Sequence, residues 1–380
     1  MQEIRHPVKK PGCKFAHAAV LAAALLTVSL PTAPAAEAQA APLQAGRPET
    51  ALLSLPSPIG PIAYTPGGGL RVGETGVTVG GYTNINLVRN EGGPANLKWD
   101  DVSLFTIWDP LPRFHLFSEL EFEDIVQVDD HGRGGTVDHV FTVERLYGDV
   151  AASEYLNFRF GKFLTPVGRW NVIHAQPLVW TTSRPLATLL PFDPHVTGAM
   201  LFGTLLAQTS ALTYAVYGQF LNEFERLPEE QQQAERSAGV RLEYGVREGW
   251  AFGASYQSFS HARHWAHLGG LDTVFRQGPV ELMGEAIVED TTDAGAGATD
   301  LGQEWGLYLQ TVLQVRPTFF LVGRYEHFDQ RAPQPAVNLV VLGVAYKPAA
   351  FMILKAEYLI ADRRAEESPP GFKSSLAILF

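Results

Sequence analysis

Residues 113–125 read RFHLFSELEFEDI. Taken alternately they fall into two sets, Phe114, Leu116, Leu120 and Phe122 in one and Arg113, His115, Glu119, Glu121 and Glu123 in the other. A β-strand produces this separation, because its successive side chains point to opposite faces. Two environments suit such a strand: a soluble sheet with its charges outward, or a membrane barrel with its charges inward around a wet lumen. An Arg or Lys facing lipid near mid-bilayer costs roughly 2–4 kcal/mol, so in a membrane the charged face has to be the inner one.

The rest of the chain decides between the two. From residue 74 to residue 380 about sixteen alternating segments of roughly ten residues follow one another, each long enough for a tilted strand to cross a bilayer. Short links (PLP, QT, REG, QGP, VRP, KPA) alternate with longer polar ones: EGGPAN, DDHGRGG, the run 166–195, EFERLPEEQQQAER, HARHW, TTDAGAGATD, DQRAPQP and DRRAEESPP. The pattern predicts an all-β fold, an antiparallel transmembrane β-barrel of about 16 strands with long external loops and short periplasmic turns. The chain ends on GFKSSLAILF, residues 371–380, and closure explains why a strand comes last. An open edge in lipid would leave backbone groups unpaired at several kcal/mol each, so the final strand should pair with the first.

Composition agrees. Among 380 residues Gly (36), Pro (26) and Phe (22) are abundant, which favours strands and turns over helices. After residue 40 no apolar run reaches the 18 or so residues of a membrane helix. Before it, Arg5, Lys9, Lys10 and Lys14 precede the run FAHAAVLAAALLTVSL and the alanine-rich PTAPAAEAQA, so residues 1–40 read as a signal peptide cleaved near Ala40. Residues 41–73, rich in Pro and Gly, read as a flexible periplasmic lead-in, and 74–380 as the outer-membrane barrel. The sole cysteine, Cys13, precedes the apolar run, so the mature chain would have no thiol for a disulfide, a metal or a nucleophile. The net charge is −11, and an acidic exported chain is a poor nucleic-acid binder.

The segment LNFRFGKFLTPVGRWNVIHAQPLVWTTSRP, residues 156–185, together with the terminal FKSSLAILF, resembles the outer-membrane porin superfamily, in particular the phosphate-selective porin O and P type and its relatives. The resemblance implies a lipid surround, reading of Phe380 by the barrel-assembly machinery, a third long loop folded into the lumen, a homotrimer, and passive passage of small hydrophilic solutes or ions. It also suggests anions, although no lysine lies between Lys162 and Lys347 to form the lysine-lined path of that group.

Residues 166–195 are the third long link. Arg169, His174, Arg184, Asp193 and His195 stand there beside Trp170, Trp180 and Phe192, a basic and aromatic set suited to a constriction. Strand parity places Arg113, Glu119, Glu121, Glu123, Arg145, Arg159, Arg241, Glu243, Glu281, Glu285, Glu289, Arg324, Glu326, Lys355, Glu357 and Lys373 on the inner face as pore-lining candidates. No cofactor motif and no convincing metal spacing emerges; His261, His264 and His267 would switch faces along a strand. The expected function is therefore a porin-like channel and not an enzyme, with the 166–195 loop setting selectivity. The alternatives are a non-conducting structural or adhesin-like barrel and, behind it, a barrel enzyme, for which no motif links a nucleophile to a base.

Overall fold

The computed structural model describes residues 51–135, 140–173, 175–189, 191–221, 234–246, 249–261, 264–293, 300–330, 335–363 and 368–380. The barrel strands are β1 Val77–Asn90, β2 Ala95–Leu111, β3 Phe114–Asp129, β4 Val140–Ala151, β5 Asn157–Leu164, β6 His195–Leu206, β7 Ser210–Gln219 and β8 Arg236–Val246. They continue as β9 Trp250–His261, β10 His264–Gln277, β11 Val280–Asp293, β12 Asp300–Arg316, β13 Phe319–Asp329, β14 Val337–Ala349, β15 Met352–Ala361 and β16 Gly371–Leu379. Each pairs antiparallel with its chain neighbour, and β16 pairs with β1 from Gly371 opposite Asn90 to Leu379 opposite Tyr82. Phe380 completes the seam, its N–H and C=O each bonded to Gly81 at 2.9 Å. Closure leaves no edge among the sixteen strands, which is the condition for a sheet in lipid.

The outward residues form the apolar band that parity predicts. Leu104, Phe122, Leu146, Phe160, Leu242, Phe252, Leu271, Leu309, Leu321, Leu342 and Ile360 are all exposed, an apolar belt of the kind that faces lipid in a membrane barrel. On the inner face an aromatic row crosses four strands. Tyr82, Phe105, Phe117 and Tyr147 follow one another with ring centroids 5.7, 5.7 and 5.3 Å apart.

The strict alternation of short and long links does not hold. The link HARHW shrinks to residues 262–263 and EGGPAN to 91–94, because the flanking strands run to 12–14 and 14–17 residues, beyond the nine to eleven that span a bilayer. Register also shifts at several bulges, two of which change what faces the lumen. In β4, Glu119 faces Arg145 and Leu120 faces Val143, so Glu144 is the extra residue and turns inward, buried, beside Arg145. Near the outer end, Asp100 of β2 and Asp124 of β3 (φ 51°) sit at a second irregularity.

The reading of 41–73 as flexible does not hold for its described part. Short strands Leu53–Leu55, Ile62–Thr65 and Gly69–Val72 form an antiparallel ribbon. Its last strand pairs with Val77–Val79 of β1, the stretch that β16 does not reach. Residues 1–40, with the expected cleavage site, lie outside the described residues.

Candidate luminal site

The 166–195 segment leaves β5 and returns as β6 after crossing the inside of the barrel. It touches side chains on β8, β9, β10, β11, β13, β15 and β16, which in a closed barrel is possible only from within. Irregular backbone at membrane depth is tolerated only where protein or a wet cavity surrounds it, and here the wall supplies acceptors for the loop's amides. Glu285 accepts from Trp170 N–H (2.7 Å), Glu326 from Leu186 N–H (2.8 Å), and Glu357 from Thr182 and Ser183 N–H (3.0 and 2.7 Å). Bonds to ionised acceptors are about twice as strong as neutral ones.

Cations on the wall hold the loop's oxygens. Arg324 donates to Thr181 Oγ1 (2.6 Å), Ser183 O (3.0 Å) and Ser183 Oγ (2.7 Å) while pairing with Glu326 at 2.7 Å. Lys355 Nζ donates to Gln176 O and Oε1 (2.9 and 2.7 Å) and to Thr181 O (3.2 Å). Glu281 accepts from Trp180 Nε1 at 3.0 Å, and Thr182 meets Ser375 at 2.9 Å. Gly168 makes the turn into the lumen possible. Its φ is +63°, and a Cβ there would lie 2.0 Å from Glu285 Oε2.

The loop's own charges are also engaged. Arg169 bonds Glu243 (2.7 Å) and lies 3.6 Å from Asp272, which with Glu243 also holds Arg241. Arg184 bonds Asn171 Oδ1 (2.9 Å) and Thr188 O within the loop. Asp193 accepts from His195 N–H (3.0 Å) and Ala234 N–H (2.9 Å), tying the loop's exit to the start of β8. His195 Nε2 lies 2.9 Å from Glu144 Oε1. His174 lies outside the described residues.

Sequence parity therefore chose inward residues, and the structure divides them. Arg241, Glu243, Glu281, Glu285, Arg324, Glu326, Lys355 and Glu357 stand on the loop-bearing half, engaged with the loop or with its partners. Glu119, Glu121, Glu123, Arg145 and Arg159 stand on the other wall: Arg145 pairs with Glu119, Arg159 with Asp149 at 2.7 Å, and Glu121 accepts from Tyr82 OH at 3.1 Å. Arg113 lies at the β2–β3 turn, exposed. Parity missed Glu144 because a bulge changed its face. Asp272, a lone acid among the apolar residues of β10, turns inward and holds Arg241. Asp101, opposite Glu123, was missed because the irregularity at Asp100 puts both aspartates on the inner side.

The fold is that of the outer-membrane porins. Solved structures similar to this chain include OmpT of Vibrio cholerae, 14% identical with TM-score 0.55 over 80% of this chain and 97% of that one. An anion-selective porin from Comamonas acidovorans is 12% identical, with TM-score 0.56 over 80% and 98%, and Salmonella typhi OmpF in complex with daunomycin is 10% identical, with TM-score 0.56 over 81% and 99%. In sequence, an uncharacterized protein of Aquifex aeolicus (strain VF5) is 23% identical over 84% of this chain and 85% of its own length. No protein-family model matches the chain.

Proposed function

We propose that this porin-fold barrel is a passive diffusion channel for small hydrophilic solutes or ions in the outer membrane of a Gram-negative bacterium, narrowed by the 166–195 loop. The observation that carries the reading is the loop's attachment across the lumen to seven strands, which makes a fixed constriction. The porin-fold neighbours support the location, and a signal peptide cleaved near Ala40 would deliver the chain there. A homotrimer belongs to the same reading, a trimer form being described for OmpT of Vibrio cholerae. The barrel-assembly machinery would read Phe380, so deleting it should slow assembly without affecting export.

The geometry favours cations over anions. Anion attraction was expected from Arg169 and Arg184, and both are engaged, Arg169 by carboxylates and Arg184 by loop oxygens. On the wall that faces the loop, Asp100, Asp101, Glu119, Glu121, Glu123 and Glu144 outnumber Lys98, Arg145 and Arg159. In a narrow site of low dielectric this imbalance acts far more strongly than it would in bulk water. Single-channel recording in a planar bilayer tests both statements: discrete openings with a cation-directed reversal potential in a salt gradient are expected. An anion-directed potential would reverse the ionic assignment. Membrane-inserted protein that never conducts would establish the second reading, a structural barrel, which the deeply buried Arg324, Glu326 and Glu285 favour because they fill part of the lumen.

A further inference from the structure

At the short-turn end of the barrel, β2 to β6 enclose a cavity of about 590 Å³, within the 300–1,000 Å³ usual for small-molecule sites. Its walls combine flat apolar rings with guanidinium groups. Phe117 and Tyr147 stack with centroids 5.3 Å apart, and Phe202 adds a third ring. Arg145 stands over Phe117 at 4.6 Å, and Arg159 over Tyr147 at 3.7 Å and Phe202 at 5.2 Å. The two arginines are held in place from behind. Asp149 takes Nε and Nη2 of Arg159 at 2.7 and 2.8 Å, leaving three of its five N–H donors, and Glu119 takes Nε of Arg145. At the mouth the exposed Arg113 forms no ion pair among the described residues.

We propose that this cavity binds a small planar aromatic carboxylate. The ring lies against Phe117, Tyr147 and Phe202, and the carboxylate meets the remaining donors of Arg159 and Arg145 with Arg113 closing the mouth. Planar guanidinium forks match a carboxylate in two-point contact and also stack on aromatic faces, so one ligand satisfies both features. An aliphatic acid would leave the rings unused, and an organic cation would meet three guanidinium groups, while the two carboxylates of the lining are already engaged, Asp149 by Arg159 and Asp109 by His115. The proposal rests on the channel reading only for the route by which the ligand reaches the cavity.

The probe is benzoate, titrated by calorimetry into the purified, detergent-solubilised full-length barrel, with acetate, benzyl alcohol and cyclohexanecarboxylate as comparisons. Benzoate should bind, with acetate and benzyl alcohol each weaker by about tenfold or more. Arg113→Ala lies at an exposed turn and should weaken benzoate by about fivefold. Phe202→Leu should weaken benzoate more than cyclohexanecarboxylate, a difference that a merely apolar site would not show. Benzoate binding no tighter than acetate, or unchanged in both variants, overturns the proposal. Because binding is read without conductance, protein that binds benzoate but conducts nothing keeps this site and rejects the channel. Protein that conducts but does not bind benzoate rejects this site alone.

Discussion

The two halves of the lumen begin from the same sequence pattern and end in different chemistry. On β8–β16, inward Arg324, Glu326, Lys355 and Glu357 alternate with apolar residues in the same way as Glu119, Glu121 and Glu123 do on β3. Yet the first set is bonded to loop atoms, whereas in the second Glu119 pairs with Arg145 and Glu121 accepts from Tyr82, both on their own side of the barrel. Inward charge has thus two uses. One half anchors a segment, and the other sets the field along the remaining passage.

Breaking this contrast starts with the loop. Deleting residues 171–190 should produce the largest effect, a several-fold rise in single-channel conductance, in a barrel whose heat-dependent gel mobility confirms assembly. Wild-type conductance in the assembled deletion variant would place the narrowest point elsewhere.

Next is the clamp. Arg324→Ala strands Glu326 without its partner, and breaking a buried pair costs roughly 3–5 kcal/mol. Backbone pairing keeps the barrel closed, so the loss should fall on the loop as noisy, larger openings and faster protease cleavage within 175–189. Arg145→Ala on the other wall should leave cleavage there unchanged. Equal cleavage in both variants would erase the difference between the halves.

The open wall is sharpened by Glu121→Gln with Glu123→Gln. Removing two carboxylates while keeping their shape should move the reversal potential toward zero, with single-channel conductance changed far less than by loop deletion. The same measurement on Arg169→Ala with Arg184→Ala should show mainly loop noise and a smaller shift in selectivity, since Arg169 is paired with Glu243 and Arg184 is bonded within the loop. A strong cation-ward shift in that variant would restore anion attraction by the loop. Smallest is Gly168→Ala. A left-handed conformation costs a residue with a side chain about 1–2 kcal/mol, and the methyl group would press on Glu285. Occasional wide openings against a wild-type background are expected in single-channel traces.

Much of the fold was legible in the chain because a membrane barrel imposes a period-two pattern wherever lipid meets one face and water the other. RFHLFSELEFEDI carried that pattern, and Phe380 at the end of an apolar strand pointed to the seam with β1. The run 166–195 was legible as a site from its length and composition. Its anchoring was not, because partners such as Ser183 and Glu357 are separated by 174 residues and no local spacing connects them. His195 could be named as a candidate, but its neighbour Glu144 sits at a position that parity assigns to lipid.

Alternation, link chemistry and a terminal strand, read by themselves, determined a closed antiparallel barrel, its strand number and which side of most strands faces in. Those properties follow from local geometry acting against a uniform solvent. Tertiary structure alone decided which inward charges are engaged by the loop, where bulges reverse a face, and that Phe117, Tyr147 and Phe202 meet Arg145 and Arg159 around one cavity. Each of these depends on long-range packing between residues far apart in the chain, and packing energy leaves no period in a sequence.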